Sequence, residues 1–448
     1  MSFAQHYADH IKHLRALYGS ALTETCNACS AILLHSGTDQ YYYADDQTVS
    51  FRAYGHFTHW LPVNRPNQLV LIVPGDKPVY FQVVPRDFWH EQNITLEDWV
   101  AEPFTVYLLE SSSEVADQLQ CLGLQPSQLA YLGENTHYAT AIGIPPAAHN
   151  PPALLDRLDY HRAYKTDYEV ACIRKANRIA LEGHMAARAM FENAGSEYDI
   201  HMAYLRACNI LEEETPYTNI VALDEKSAIL HYQYKRREVA PQSQVLLIDA
   251  GCRVNGYCSD ITRTSTREHT LSLFSDLVEA MEELEVGLVQ RVVPGISYLD
   301  IHIAAQQGVT EILLEHGICH GSFDELMQQK ISTLFMPHGV GHLLGIQVHD
   351  VGGRQINTLG DIKAPPSEYP ALRNTRKIEK GQVFTIEPGL YFIPQLLNPE
   401  RNNSQQPERG KLINWDLVDA LIPLGGIRIE DNVLVTASGV ENLTRVSI

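Results

Sequence analysis

Five side chains that can bind a divalent metal ion are spread over the second half of the 448-residue chain. They are Asp249 in LLIDAG, Asp260 in CSDITR, His342 in HGVGH, Glu387 in TIEPG and Glu430 in RIEDN. Each acid interrupts an apolar run of the kind that forms strands, where an unpaired ionised carboxylate would cost several kcal/mol. We therefore predict that four carboxylates and one imidazole bind two divalent cations, which supply the missing positive charge.

The dipeptide Asn255-Gly256 predicts how the first two acids lie relative to each other. Asn-Gly between apolar runs is the strongest short signal for a two-residue hairpin. If the residues that flank this turn pair, Asp249 lies opposite Thr262, and Asp260 is two residues from Thr262 on the same face. Such diagonal neighbours are about 7 Å apart at the backbone. Both carboxylates can then reach metals about 3.5–4 Å apart.

Other polar residues beside these motifs could act on a bound substrate. In GGIRIEDN, Arg428 and Glu430 alternate with isoleucines, so Arg428 is predicted to point into the cavity and balance the carboxylates. His338 and His342 have the spacing of a zinc-binding helix, but two glycines lie between them, and we predict a loop or strand. His349 would be a core or surface residue in most proteins, but its closeness to HGVGH in the sequence predicts that it faces the cavity.

The composition is that of an ordinary globular protein with two or three domains: 45% of the residues are hydrophobic and 20% are charged. The net charge of −20 argues against a nucleic-acid partner. No apolar run approaches the roughly 20 residues of a membrane span, and the N-terminus lacks a secretory apolar core, so we expect a cytoplasmic protein. The eight cysteines lack the spacing of a disulfide framework, and the CxxC of Cys26 and Cys29 is interpreted as two partly buried side chains.

Two regions with different patterns follow each other along the chain. Residues 1–157 alternate helix-like and strand-like segments, which indicates an α/β domain. The proline-rich segment 144–155 should not sustain a helix, and it predicts the domain boundary. Residues 158–448 are predicted to form an α+β domain, which a long helix opens behind the capping box Thr166–Glu169. The polar run 398–411 is predicted to be a surface loop.

The ordered set of motifs resembles that of the pita-bread metallopeptidases. It comprises LLIDAG, SDITRT, PHGVGHLLGIQVHDVGG, FTIEPGLYF and GGIRIEDN. The segments HRAYKTDYEV and NIVALDEKSAILHY extend the resemblance to bacterial Xaa-Pro dipeptidases (prolidases), close to the organophosphorus acid anhydrolase type. The resemblance implies an α/β N-terminal domain, a pita-bread catalytic domain, and hydrolysis of dipeptides whose C-terminal residue is proline.

The resemblance also implies a role for each predicted metal ligand. Asp249 and Asp260 would ligate one metal, Asp260 and Glu430 would bridge both, and His342 and Glu387 would complete the second site. The oxygen-rich donor set favours manganese over zinc, and the family likewise implies two Mn²⁺ per subunit. A hydroxide shared by the two metals would attack the scissile carbonyl, while Glu387 would move the proton.

Substrate contacts are implied in the same way. His338 and His349 would stabilise the substrate carbonyl and the tetrahedral intermediate. Arg373 would hold the free carboxylate of the substrate, a task suited to a guanidinium group, and would restrict the enzyme to dipeptides. The other pocket residues are His231, Tyr217, Leu372 and Trp89. Tyr217 and Trp89 could equally be packing residues.

The resemblance implies a homodimer as well. Asp46, or its neighbour Asp45, matches an acidic residue that reaches from the N-terminal domain of one subunit into the active site of its partner. A side activity on organophosphorus triesters is expected. One alternative is an Xaa-Pro aminopeptidase that accepts longer peptides, which Arg373 and the N-terminal match disfavour. The other is a non-catalytic peptide-binding protein on the same fold, which the complete ligand set disfavours.

Overall fold

The computed structural model describes residues 3–89, 94–402 and 407–445. They divide into two compact units. The first comprises the chain up to Arg162 together with 166–171 and 357–361, and the second comprises 163–165, 172–356 and 362–448. Within the described ranges, no helix is both long enough and apolar enough to cross a membrane.

The first unit alternates helices and strands. Its strands are β1 (Ala31–His35), β2 (Leu69–Ile72), β3 (Val79–Val83), β4 (Thr105–Leu109) and β5 (Leu129–Leu132). Its helices are α1 (Phe3–Thr25), α2 (Gly55–Trp60), α3 (Asp98–Ala101), α4 (Val115–Cys121), α5 (Thr136–Ala141) and α6 (Pro152–Arg162). The sheet has the order β4-β3-β2-β1-β5, with parallel pairs at both edges and antiparallel pairs between them. This mixed sheet confirms the predicted α/β character.

Burial in the first unit follows the sequence pattern. All residues of β1 are buried, as expected for an apolar strand without alternation that is covered on both faces. In α1 the buried residues recur every three or four positions, which is the stripe of an amphipathic helix.

Two predictions for the first unit are wrong. Helix α6 begins at Pro152, inside the proline-rich segment, because proline is well tolerated in the first turn of a helix, where its missing N–H has no partner to lose. The CxxC cysteines Cys26 and Cys29 are joined by a disulfide rather than being two unlinked side chains.

The second unit contains the remaining elements. Its helices are α7 (Asp167–Glu192, which starts in the first unit), α8 (Glu197–Cys208), α9 (Ser272–Gln290), α10 (Tyr298–Glu315), α11 (Phe323–Gln328), α12 (Ser332–Phe335), α13 (Pro394–Leu397), α14 (Pro407–Lys411) and α15 (Trp415–Leu421). Its strands are β6 (Ile220–Leu223), β7 (Val245–Asp249), β8 (Arg253–Val254), β9 (Tyr257–Cys258), β10 (Thr262–Thr266), β11 (Val383–Ile386), β12 (Gly389–Tyr391), β13 (Gly426–Arg428), β14 (Asp431–Val435) and β15 (Val440–Asn442).

Small antiparallel sheets form the framework of the second unit. Their orders are β10-β7-β6, β11-β14-β15, β12-β13 and β8-β9. A large apolar core contains residues of α9 and α10 together with β11 and β14. Helices packed on antiparallel strands confirm the predicted α+β layer.

Two predictions of local structure are confirmed, one in each unit. Val254 pairs with Tyr257 across Asn255-Gly256, and both turn residues have positive φ, as a type I′ hairpin requires. The capping box before α7 is also present, because the backbone N–H of Thr166 donates to Oε2 of Glu169 at 2.8 Å.

The prediction of a surface loop over 398–411 is wrong at both ends. Residues 398–402 form a 3₁₀ turn and α14 begins at Pro407, while 403–406 lie outside the described residues. Glu400 is buried and accepts from Arg409 at 2.9 Å. A paired, buried carboxylate ties this polar segment to the unit, which its composition did not indicate.

Candidate metal centre

The five predicted ligands lie at the ends of strands or in the loops between them. Asp249 ends β7, Asp260 precedes β10, and Glu430 lies between β13 and β14. Glu387 follows β11. His342 lies in a loop rather than a helix, as predicted, and its backbone N–H donates to Oγ1 of Thr385 at 3.1 Å. The paired strands fix the backbone next to each ligand, and the loops that follow them allow the side chains to converge.

The predicted register of the first two acids is confirmed. Asp249 pairs with Thr262 across β7 and β10, so Asp260 lies diagonally from Asp249 on the same face. Thr262 also forms a bridge with Glu430, which brings the last ligand beside the first two.

The ligand side chains converge. Asp260, His342 and Glu430 are buried, and each offers a ligand atom within 4.8 Å of the other two. His342 Nε2 lies 3.4 Å from Oδ2 of Asp260 and 3.6 Å from Oε1 of Glu387. These distances suit a set of donors that share cations.

Asp249 completes the group through two polar neighbours. Arg428 Nη2 donates to Oδ2 of Asp249 at 2.5 Å, and the hydroxyl of Tyr217 lies 2.7 Å from its Oδ1. The same hydroxyl lies 2.5 Å from Oδ1 of Asp260. Arg428 therefore orients a carboxylate, as the strand pattern predicted. Tyr217 touches two predicted ligands, a contact that the sequence did not indicate.

Burial sets the electrostatics of the site. It raises the pKa of Asp249 to about 6 and that of Glu387 to about 7, and it raises the pKa of Glu430 well above its usual value. Burial also opposes ionisation of Asp260, but hydrogen bonding and the charge of His342 keep its pKa below the usual value. Without further positive charge, the carboxylates could not all be ionised.

The residues fit a pair of divalent cations. Arg428 is one buried cation among four carboxylates, and Oε1 of Glu430 is buried with no hydrogen-bond partner among the described residues. A buried unpartnered carboxylate oxygen is costly unless it binds a cation. The donor set, rich in oxygen and without sulfur, suits hard or borderline divalent metals.

Two further histidines border the site, and burial makes both neutral. It lowers the pKa of both His338 and His349 to about 3. The charge of Arg428 lowers the pKa of His338 further, and the charge of His342 does the same for His349. His338 Nδ1 donates to the carbonyl of Gly339 at 2.8 Å, so its Nε2 is free to accept from Tyr391, whose oxygen lies 3.0 Å away. The ring of His349 lies edge to face with that of His342.

These side chains line one cavity of about 270 Å³. Ten predicted residues border it: Asp249, Asp260, His342, Glu387, Glu430, His338, His349, Arg428, His231 and Arg373. Leu372 is fully buried and lines an adjoining compartment behind Pro337, His338 and Ala371. The structure thus gathers most of the predicted site.

The predicted partner-facing residue Asp46 and the predicted pocket residue Trp89 belong to the first unit, and neither is among the residues that line the metal cavity. Asp46 and Trp89 line a separate surface groove there, and both are exposed. The exposed fraction of Trp89 is 77%. The exposed indole contacts the ring of Phe88 at 4.6 Å between centroids, so Trp89 is not part of the buried core of its unit.

Three residues that contact the ligands, or His338 and Arg428 beside them, were not predicted. Tyr391 bonds both His338 and Arg428, and Thr262 donates to Oε2 of Glu430 at 2.6 Å. Asn432 accepts from the backbone N–H of Asp260 at 3.0 Å and donates to its carbonyl. The signal that could have found Tyr391 is its place in the TIEPGLY motif that carries Glu387.

Comparison with known proteins assigns the chain to a family. The pattern of metallopeptidase family M24 matches residues 171–437, and that of the Xaa-Pro dipeptidase N-terminal domain matches residues 5–160. The chain therefore belongs to metallopeptidase family M24. Together with the convergent ligands, this defines a metal-dependent enzyme rather than a binding module.

Two relatives show which kind of M24 metallopeptidase the chain resembles. An Xaa-Pro dipeptidase from Pseudoalteromonas atlantica is 41% identical, covering 99% of this chain and 98% of the relative. One from Shewanella woodyi is 42% identical with the same coverage. The predicted resemblance to bacterial Xaa-Pro dipeptidases is thereby confirmed.

Solved structures support the predicted fold. An Escherichia coli aminopeptidase P variant in complex with substrate has a TM-score of 0.71 at 25% identity, covering 98% of this chain and 95% of that chain. Proline aminopeptidase P II from Yersinia pestis has a TM-score of 0.71 at 23% identity, covering 99% and 96%. The pita-bread fold expected from the motifs is confirmed.

Proposed function

We propose that this protein is an Xaa-Pro dipeptidase, which hydrolyses the imide bond of dipeptides whose C-terminal residue is proline. The observation that carries the proposal is the coincidence of a complete ligand set with Arg373 in one small cavity. Full-length similarity to enzymes named Xaa-Pro dipeptidase supports it over an aminopeptidase that accepts longer peptides.

We assign two Mn²⁺ ions to Asp249, Asp260, His342, Glu387 and Glu430. When bound, such a pair lowers the pKa of bound water and polarises a carbonyl. By the family resemblance, Glu387 would accept a proton from the attacking water and return it to the leaving nitrogen. Like any amide nitrogen, the proline nitrogen needs that proton to leave as an amine, and because it carries no N–H it offers the site no donor to bind.

The other cavity residues bind and orient the substrate. The guanidinium of Arg373 would hold the C-terminal carboxylate of the dipeptide through two parallel hydrogen bonds. Neutral His349 retains one N–H that can donate to the scissile carbonyl, and His338 with His231 would border the substrate. A carboxylate anchor at a fixed distance from the metals explains a restriction to dipeptides. Hydrolysis of organophosphorus triesters is a side activity that the same site would support.

We further propose that the protein acts as a cytoplasmic homodimer, in which residues 1–157 form the dimerisation domain and 158–448 the catalytic domain. The first unit exposes large aromatic side chains: Tyr43 is fully exposed and Phe88 is 85% exposed. Such residues are commonly covered by a partner. Asp46 or Asp45 would then reach the active site of the partner copy, together with Trp89.

The test removes metal by chelation, restores Mn²⁺, and times proline release from Ala-Pro beside Ala-Pro-Ala and Ala-Ala. Manganese-dependent cleavage of Ala-Pro alone is the expected result. Cleavage of the tripeptide would identify an aminopeptidase, and a lack of cleavage with every metal tried would contradict the proposal. Sedimentation of the same preparation reports the oligomeric state.

A further inference from the structure

A second compartment lies beside the metal cavity in the catalytic unit. Its volume is about 200 Å³, and it shares Pro337, His338 and Ala371 with the metal cavity. Helix α10 forms its inner wall and contributes His302 and Gln306, which lie one turn apart on the same face. Both side chains are 1% exposed.

Three buried polar atoms in this compartment have no protein partner. Neither ring nitrogen of His302 makes a hydrogen bond to any described residue, and the same is true of Oε1 of Gln306. The ring of His302 lies edge to face with that of Tyr369, at 4.5 Å between centroids, which fixes its plane without satisfying its nitrogens. Because buried polar groups nearly always have partners, something polar must reach these atoms.

Water fits this compartment better than a substrate group does. The space can hold several water molecules, each of which occupies about 30 Å³ in the liquid. Neutral imidazole donates at one nitrogen and accepts at the other, and an amide oxygen accepts, so water can satisfy all three atoms together. A proline ring would bring only C–H groups to them and leave them unpaired.

The same helix holds the segment that carries His338. Gln306 Nε2 donates to the carbonyl of Met336 at 3.1 Å, two residues before His338. His338 in turn lines both the compartment and the metal cavity. Movement of this wall would displace His338 and, through its hydrogen bond, the hydroxyl of Tyr391.

We propose that this compartment is a buried water site held by His302 and Gln306, and that His302 is a positioning residue for His338. The positioning role rests on the proposed function, because it assumes that His338 borders the substrate. The water site itself does not depend on it. His302 acts through water and the 336–338 segment and does not touch the substrate.

Crystallography of the wild-type protein tests the water site. Ordered water within hydrogen-bonding distance of the ring nitrogens of His302 and of Gln306 Oε1 is expected. A dry compartment, or density for the proline ring of a bound dipeptide product inside it, would overturn the assignment.

Kinetics of His302→Phe tests the positioning role. Phenylalanine fills a similar volume without polar atoms, so kcat for Ala-Pro should fall about 10-fold while KM and metal content stay within about twofold. His302→Gln, which can again bond water, should recover most of the loss. The matched control is His316→Phe, the same exchange at the residue directly after α10, which bonds the carbonyl of Ile312 outside the compartment. An unchanged kcat in His302→Phe would refute the role.

Two further experiments distinguish a failure of the positioning role from misfolding of the variant and from a failure of the proposed function. If His302→Phe does not fold, Gln306→Leu tests the same wall and should lower kcat in the same way. If the wild-type protein releases no proline, the proposed function fails. The water positions and a displacement of 336–338 in crystals of the His302→Phe variant would still decide the inference.

Discussion

The hydroxyl of Tyr217 lies between Asp249 and Asp260, 2.7 Å from an oxygen of the first and 2.5 Å from an oxygen of the second. One hydroxyl carries one proton and can donate to only one of them at a time. Burial raises the pKa of Tyr217 well above its usual value, so the proton stays on the phenol. The carboxylate that does not receive this proton must itself be protonated or lie against a cation, as Asp249 lies against Arg428.

Tyr217→Phe should weaken metal binding more than it weakens substrate binding. Loss of a hydrogen bond that orients metal ligands typically costs about 10- to 100-fold in affinity or activity. Titration of the metal-free protein with Mn²⁺, followed by calorimetry, measures the change directly. Tyr234→Phe is the control, since that tyrosine is 81% exposed. Equal manganese affinity in both variants would contradict the interpretation.

Asp260→Asn and Glu430→Gln should each abolish proline release from Ala-Pro. Each exchange keeps the size of the side chain but removes one negative charge from a predicted bridging position. The comparison variant is Cys121→Ser, at an exposed free cysteine, and it should retain wild-type activity. Metal content per subunit, measured by atomic emission, should fall in the two acid variants. Activity that survives in either one would refute a shared metal pair.

Arg373→Ala should raise KM for Ala-Pro by about 10- to 100-fold, the loss expected for hydrogen bonds to a charged group. It should also admit Ala-Pro-Ala, because the anchor that requires a free carboxylate at this position is gone. A peptide-length series measures both effects. Arg373→Lys should keep part of the affinity as a single positive charge. If the alanine variant still refuses tripeptides, another residue sets the length limit.

His35 should make the stability of the protein depend on pH. It is fully buried, its Nδ1 accepts from the backbone N–H of Gly37 at 2.9 Å, and burial lowers its pKa to about 4. A folded-state pKa below the unfolded value of about 6.5 means that the stabilisation is complete above pH 6.5 and is lost as the pH falls through 4. The loss amounts to about 3 kcal/mol of the free energy of unfolding.

Urea unfolding of the metal-free protein at pH 7 and pH 4.5 measures this loss. His35→Asn keeps an acceptor for Gly37 but does not titrate, so its free energy of unfolding should change less between the two pH values. His137→Asn, at an exposed histidine, should behave like the wild type. The same pH dependence in all three proteins would rule out His35 as a source.

The sequence predicted the ligand set and part of its geometry because both depend on local rules. Asn255-Gly256 fixes a two-residue turn, and a two-residue turn fixes which residues face each other on β7 and β10. The position of Asp260 relative to Asp249 follows without any knowledge of the rest of the fold.

Contacts between distant segments could not be predicted in this way. Thr262 and Asn432 are ordinary strand residues in the sequence, and only the meeting of β10 with the segment around Glu430 gives them ligand contacts. The placement of Leu372 behind His338, rather than in the metal cavity, depends on how two loops pack. The disulfide between Cys26 and Cys29 was also missed, because CxxC spacing alone does not tell a bonded pair from two thiols.

Asn432 has a consequence for how such a site can change over time. Its side-chain amide carries the same donor and acceptor as a peptide group, and it engages both backbone groups of Asp260 in the manner of a rung in a β-ladder. A ladder rung can shift only if the whole strand slides. The contact made by Asn432, by contrast, changes with one substitution in a residue that supplies no metal ligand. Evolution can therefore adjust the position of Asp260, and with it the metal spacing, while all five ligands are retained.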